Sequence, residues 1–382
     1  MSKPSSSQIP VVVLAGYLGS GKTTLLNHLL HHSRGSRIGA VVNDFGSIEI
    51  DAMAVAGQLG DSTVSLGNGC LCCAVDAGEL DGYLDRLTRP AAGIDVIVIE
   101  ASGIAEPQEL VRMVLASENP VVVYGGLVEV VDAAEFDATR ARHPEVDRHL
   151  ALADLVVVNK ADRVPESERE RIAALVRELA GRAAVVSTAH GRVDPELLFD
   201  CRPAVERIGQ LSFDDLPRED GADSGQSAAG GSHGGEEHGA HHGHLHYAYE
   251  SVSFSSPVPL SPRRLMAFLD GRPEGLYRIK GHIDLGPSDP HNRYGVHAVG
   301  RFLRFYPEPW PPGAPRMTQL VLIGSGIDGP ALTKELAACQ DERGEADEHA
   351  MWGVLRYVPD PDEGGPEAEA AVYDLGEDGR AE

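Results

Sequence analysis

Basic residues are scarce in this 382-residue chain: 33 Lys and Arg stand against 58 Asp and Glu, a formal net charge of −25 at pH 7. A field of that sign repels phosphate backbones and anionic bilayers, which argues against nucleic acid or a membrane as partner. Long hydrophobic runs are missing too. The longest, such as residues 11–15 and 155–158, fall far short of the roughly 20 residues that cross a bilayer. The N-terminal stretch, one Lys and several Ser, also lacks the pattern of a signal peptide. These absences predict a soluble, cytoplasmic protein. Cysteine is sparse and odd in number, five in all, and three of the five (Cys70, Cys72 and Cys73) fall within four positions. That is no disulfide framework.

What is present falls into two halves. Up to about residue 205, runs rich in Val, Ile and Leu (11–15, 40–43, 96–100, 127–131, 155–159, 184–187) alternate with amphipathic stretches (22–32, 77–87, 108–116, 166–180). Continuous apolar runs separated by helices mark strands buried on both faces, so an α/β half with a mostly parallel sheet is expected. Residues 218–246 then hold eight Gly and six His (His233, His238, His241, His242, His244, His246), with almost no large apolar side chain to offset the entropy of ordering. Beyond them period-two runs return at 247–254, 277–284, 296–306, 319–323 and 352–358, with helical stretches at 262–270 and 329–339. This pattern predicts a smaller C-terminal α+β domain. The expected division is 8–210 for the α/β domain, 217–246 for a flexible His/Gly-rich linker, 247–359 for the α+β domain and 360–382 for an acidic tail.

Residues 11–15 run into Gly16-Tyr17-Leu18-Gly19-Ser20-Gly21-Lys22-Thr23-Thr24 and then a helical pattern, a complete G-x-x-x-x-G-K-T in strand-loop-helix context. The loop, with Gly16, Gly19, Ser20, Gly21 and Thr24 all counted as nucleotide contacts, turns backbone N–H groups onto phosphate oxygens. Lys22 reaches the β and γ oxygens, and Thr23 offers a hydroxyl to Mg²⁺. A nucleoside triphosphate is the expected ligand. Asn159-Lys160-Ala161-Asp162 closes another apolar run: a carboxylate such as Asp162 can accept from guanine N1–H and N2–H₂, a donor pair adenine lacks. Asn159 and Lys160 would support the base, and the stretch from Ser187 to Ala189 would offer an N–H to guanine O6. The competing reading makes Asp162 a helix N-cap. Glu100 ends the 96–100 run three residues before Gly103, so it is a candidate for holding a Mg²⁺-bound or attacking water, with the Gly103 N–H sensing the γ-phosphate. It also reads as an acid that merely ends a strand.

Gly69-Cys70-Leu71-Cys72-Cys73 is the second strong signal. Neighbouring thiols in a reducing compartment read as soft-metal ligands, and three thiolates leave a fourth tetrahedral position for an exchangeable donor, which suits transfer better than storage. A redox thiol pair and buried structural cysteines remain the alternatives. Cys201 and Cys339 stand alone and read as core residues; His28, His31 and His32 read as helix-surface residues. The cysteines lie between the 43–51 segment, where a first switch loop would sit, and Glu100 to Gly103, the second. A γ-phosphate ordering both loops would open or close the metal site.

With the P-loop, Glu-x-x-Gly, N-K-x-D and C-x-C-C in place, the chain resembles the CobW family of metal-chaperone GTPases, relatives of the hydrogenase and urease nickel-insertion GTPases. The resemblance covers 16–24, 43–51, 69–73, 100–107, 159–162, the His-rich linker, 278–281 and 323–328. It implies a P-loop GTPase domain with slow intrinsic hydrolysis of GTP to GDP, metal carried on Cys70, Cys72 and Cys73, and delivery of Zn²⁺, or alternatively Co²⁺, to a client metalloprotein. Val42 and Ser47 stand where some members carry acids, so accessory metal sites are not expected there. The linker would be either a metal-loading arm or a plain spacer. An insertion factor dedicated to one metalloenzyme (cobalt for cobalamin synthesis, or nitrile hydratase activation) and a nucleotide-regulated zinc buffer stay open, as does homo-oligomer formation.

Overall fold

Successive Val and Leu residues in one strand must point to opposite faces, so such a run is stable only with cover on both sides. In β1 (Ile9–Ala15), Val12 and Leu14 pack on Leu25, Leu26 and Leu29 of the helix that follows, α1 (Lys22–His31). Val11 and Val13 pack on the other side with Leu110, Val111 and Val114. The computed structural model describes residues 8–43, 63–66, 77–103, 105–201, 249–341 and 349–359. Six further strands join β1: β2 (Ile38–Asn43), β3 (Thr63–Leu66), β4 (Val96–Glu100), β5 (Val122–Asp132), β6 (Leu155–Asn159) and β7 (Ala184–Ser187). All neighbours are parallel, in the order β3-β2-β4-β1-β5-β6-β7.

The connecting helices are α2 (Ala77–Leu87), α3 (Pro107–Leu115), α4 (Phe136–Arg142), α5 (Glu145–Leu152) and α6 (Glu166–Ala180), with a single turn α7 (Pro195–Leu198) after β7. The expected α/β class with a mostly parallel sheet is what the chain adopts. The sheet is wholly parallel, and β3, α4, α5 and α7 add to the elements read from the sequence.

The second sheet is antiparallel, in the order β11-β10-β9-β12-β8, from β8 (Glu250–Ser256), β9 (Leu276–Ile283), β10 (Asn292–Val299), β11 (Phe302–Pro309) and β12 (Thr318–Gly324). One face carries α8 (Pro262–Asp270), α9 (Gly329–Ala338) and the short α10 (Trp352–Leu355) over a core with Leu265, Phe305, Leu322 and Leu336. Two expectations are corrected here. The run 296–306 is a hairpin, not one strand: Gly300 at φ 53 turns the chain, and Val299 pairs with Phe302. The run 352–358 is a helical turn whose Val354 is buried in the helix-side core, while Trp352 remains exposed.

The other face of the second sheet meets the first unit. Tyr277, Val299 and Ile323 pack into the same cluster as Leu197, Leu198 and Phe199, and His297 Nε2 lies 2.9 Å from the Tyr124 carbonyl oxygen. Among the described residues no helix is long and apolar enough to cross a membrane.

Candidate nucleotide site

The carboxyl end of β1 hands the chain to a loop with three glycines at positive φ (Gly16 143, Gly19 79, Gly21 104), conformations that side chains rarely adopt. Helix α1 starts at Lys22 with no side-chain N-cap, so its first N–H groups are left for a ligand at the positive end of the dipole. Lys22 is 7% exposed, and its Nζ donates to the Gly16 carbonyl at 2.8 Å, folding the side chain back over the loop. The Ser20 Oγ is buried with no partner among the described residues. Thr24 is exposed at the rim.

Strand β4 lies beside β1, with Leu14 opposite Glu100. That pairing brings together two residues 77 positions apart: the Thr23 Oγ1 hydroxyl donates to Glu100 Oε1 at 2.7 Å. A hydroxyl and a carboxylate at the carboxyl edge of a parallel sheet are hard oxygen donors of the kind Mg²⁺ takes, so these residues fit the ion. Gly103 follows close behind; a Cβ there would sit 2.8 Å from the backbone of Leu18, so the loop after β4 lies against the P-loop with room only for glycine.

Asn159 and Lys160 clamp the loop from the other side. Asn159 Nδ2 donates to Ser20 O at 2.9 Å, while its Oδ1 accepts from the Gly191 N–H at 2.9 Å, tying the loop after β7 to the P-loop. Lys160, at φ 57, donates to the Gly19 carbonyl and to Asp132 Oδ2, each at 2.6 Å. Asp162 lies in a single 3₁₀ turn (Ala161–Arg163) with a partly exposed carboxylate, and Pro165, not Asp162, caps α6, so the helix-cap reading is set aside. Ser187 ends β7; the Thr188 N–H is committed to Val158 O, which leaves the amides of Ala189 and His190 as the candidates to face a base.

Cys70, Cys72 and Cys73 lie outside the described residues, as do the linker histidines, Ser47 and the acidic tail. Among the described residues, no group of three or more His, Cys, Asp or Glu could hold a metal ion. Cys339 is buried; Cys201 is half-buried, and burial pushes its thiol up to about 11. His31 and His32 are exposed, whereas His28 is partly buried and stacks on His32, and burial brings it down to about 4.

Two acids of β5 escaped the sequence reading. Asp132 anchors Lys160, and its signal was available: like Glu100, it closes an apolar strand. Glu129 is 1% exposed and in register with Ala15, directly before the P-loop. Its Oε2 has no partner among the described residues, and burial pushes the carboxyl up to about 8 against the pull of Lys22.

Residues 10–187 match the family described as "CobW/HypB/UreG, nucleotide-binding domain", and residues 249–340 match "Cobalamin synthesis protein cobW C-terminal domain". The chain is 30% identical to a zinc chaperone CobW of Pseudomonas aeruginosa over 375 residues, covering 86% of this chain and 91% of the relative. The chain belongs to the CobW family. A zinc chaperone CobW of Sinorhizobium is 28% identical, covering 85% and 94% of the two chains. The zinc chaperone YjiA of Escherichia coli is 32% identical over 199 residues, half of this chain and 61% of the relative. The P-loop, Glu100, Asn159 and Lys160 all fall inside the part matched to the family's nucleotide-binding domain.

Proposed function

We propose that this CobW-family chain is a GTP-hydrolysing metallochaperone that carries a divalent ion, zinc first, on Cys70, Cys72 and Cys73 and passes it to a client protein. The observation that carries the nucleotide half is the 2.7 Å contact between Thr23 Oγ1 and Glu100 at the mouth of a loop clamped by Asn159 and Lys160. The likeness to two zinc chaperones over more than nine-tenths of their length supports the cargo half.

In this reading a water attacks the γ-phosphorus and the bond to the β–γ bridging oxygen breaks, giving GDP and phosphate. Lys22 leaves the Gly16 carbonyl for the β and γ oxygens and offsets the charge that builds there. Thr23 and Glu100 hold Mg²⁺, which when bound neutralises the phosphate oxygens. The Gly103 N–H reads the γ-phosphate, and Asp162 accepts from guanine N1–H and N2–H₂. The cysteines follow the γ-phosphate because they lie in sequence between the two loops it orders.

The deciding experiment measures GTP turnover and metal affinity of wild type and Cys72→Ala with Zn²⁺, Co²⁺, Ni²⁺ and Fe²⁺, in GDP and in a non-hydrolysable GTP analogue. Expected are slow turnover, tight Zn²⁺ binding that Cys72→Ala weakens, and an affinity that differs between the two nucleotides. Undiminished binding by Cys72→Ala overturns the cargo site, and equal affinity in both nucleotides overturns the coupling. Zinc binding without turnover, client present, leaves a nucleotide-regulated buffer.

A further inference from the structure

A cavity of about 300 Å³ opens where the two units meet, beside the amino ends of β6 and β7 and away from the P-loop. That volume is at the small end of ligand pockets. Its charged and aromatic walls come from both units: Asp154 and Arg182 from the first, Asp270, Arg272, Arg301 and Tyr357 from the second.

The charges in it do not cancel. Asp154 is buried, and its carboxylate is already committed, accepting from the Tyr124 hydroxyl at 2.6 Å and the Leu127 N–H at 2.9 Å, with the Arg301 backbone as a further donor. Gly300, at φ 53, sits so close that a Cβ there would collide with that carboxylate, so the β10–β11 turn is docked on it. The guanidiniums have no such partner. Arg182 donates to the Arg272 carbonyl, and Arg272 reaches the Arg301 carbonyl at 3.4 Å. Among the described residues, Arg182, Arg272 and Arg301 form no ion pair with a carboxylate. Arg272 is partly buried, and burial first, then the Arg182 charge, lowers its pKa. The charges of Asp154 and Asp270 pull the other way. With Asp154 already committed and Asp270 the other carboxylate in the lining, however, three guanidiniums face two acids, an excess of positive charge that an anion relieves.

We propose that this seam cavity binds a compact oxyanion of two or more negative charges, gripped by Arg182 on one unit and Arg272 and Arg301 on the other. Such an ion ties the two units together at a place separate from the nucleotide. A phosphate-bearing metabolite and a di- or tricarboxylate share the required chemistry, and the cavity has room for about ten waters' volume of either.

The test uses the full chain, with inorganic phosphate and citrate titrated separately against sodium chloride of equal ionic strength, read by calorimetry and thermal unfolding. Expected is a saturable response with a rise in Tm of about 5 °C at a hundredfold excess over Kd. Arg272→Gln and Arg301→Gln should each weaken it at least tenfold. Arg301→Gln keeps the backbone contact to Asp154, so its loss of binding does not come from an opened seam. Lys22→Ala, which removes the P-loop's grip on phosphate, should leave the response in place, which separates this site from failure of the GTPase reading. A response to phosphate alone or citrate alone supports the site and names its source. A response that never saturates, survives both Arg variants, or vanishes with Lys22→Ala overturns it.

Discussion

Two of the buried carboxyl groups of the first unit stand in opposite circumstances: Glu129 beneath the P-loop and Asp154 at the seam, just before β6. Burial raises both, yet Glu129 reaches about 8 and Asp154 only about 6. The difference is hydrogen bonding. Asp154 accepts from the Tyr124 hydroxyl and backbone N–H groups, which stabilise its charged form. Glu129 has an unpartnered Oε2 and only the Lys22 charge to oppose desolvation. The seam thus uses its acid as a fastener, whereas the nucleotide edge tolerates an acid that is best left protonated.

Glu129→Gln breaks that contrast with the largest effect. A carboxyl raised in the folded state contributes stability that is complete below its ordinary value of 4.5 and lost as pH rises through about 8. That span corresponds to an upper bound of about 5 kcal/mol. Asp154 contributes in the same direction, but its window closes near pH 6. Wild type should therefore lose urea resistance between about pH 4.5 and 8, with the part above about pH 6 coming from Glu129 and not Asp154, and Glu129→Gln should flatten that decline. An unchanged slope would show that Glu129 is ionised and solvated in the native protein.

Lys22→Ala comes next. It should cut GTP turnover about 10³-fold, roughly 4 kcal/mol of transition-state stabilisation, with a much smaller effect on Tm, because the loop is also held by Asn159 and Lys160 when the Lys22 bond to the Gly16 carbonyl is removed. Asp154→Ala should show the converse: about 3 kcal/mol of lost stability, since the Tyr124 hydroxyl and the Leu127 N–H are left buried without an acceptor, and unchanged turnover per folded molecule. Denaturant unfolding alongside phosphate release checks both. Equal loss of turnover in the two variants would erase the distinction between fastening and reacting groups.

The nucleotide edge was far more legible in the sequence than the seam, for a physical reason. Phosphate binding needs a loop, a lysine and a hydroxyl contiguous in the chain, and strand order then puts Glu100 beside Thr23. The seam is assembled from Asp154, Arg182, Arg272 and Gly300, which no local pattern joins. Glu129 was missed because one acid inside Leu127-Val128-Glu129-Val130-Val131 looks like the exposed face of a strand, while its strand is covered on both sides. Helices α4 and α5 bury only Phe136 in one and Val146 and Leu150 in the other, too few positions to establish a helical period. The hairpin at Gly300 was hidden because period-two alternation continues through a two-residue turn.

Asp132→Asn gives the smallest effect and sharpens the comparison most finely, because Asp132 stands at the nucleotide edge yet acts as a fastener. Its carboxylate holds Lys160 Nζ at 2.6 Å, with the side chains 11% and 24% exposed, and that ammonium also holds the Gly19 carbonyl. A partly shielded pair of this kind is worth about 1 kcal/mol. Without the charge Lys160 keeps its bond to Gly19 but loses the anchor that orients it, so the P-loop should be held less firmly. The expected result is a roughly fivefold weaker affinity for GDP, where loop order is the main requirement, with turnover at saturating GTP within twofold of wild type. Titration of a fluorescent GDP analogue beside steady-state hydrolysis reads the two quantities separately. A fall in saturated turnover with affinity intact would instead place Asp132 among the groups that stabilise the transferring phosphate, and the fastening role at this edge would have to be given to Asn159 alone.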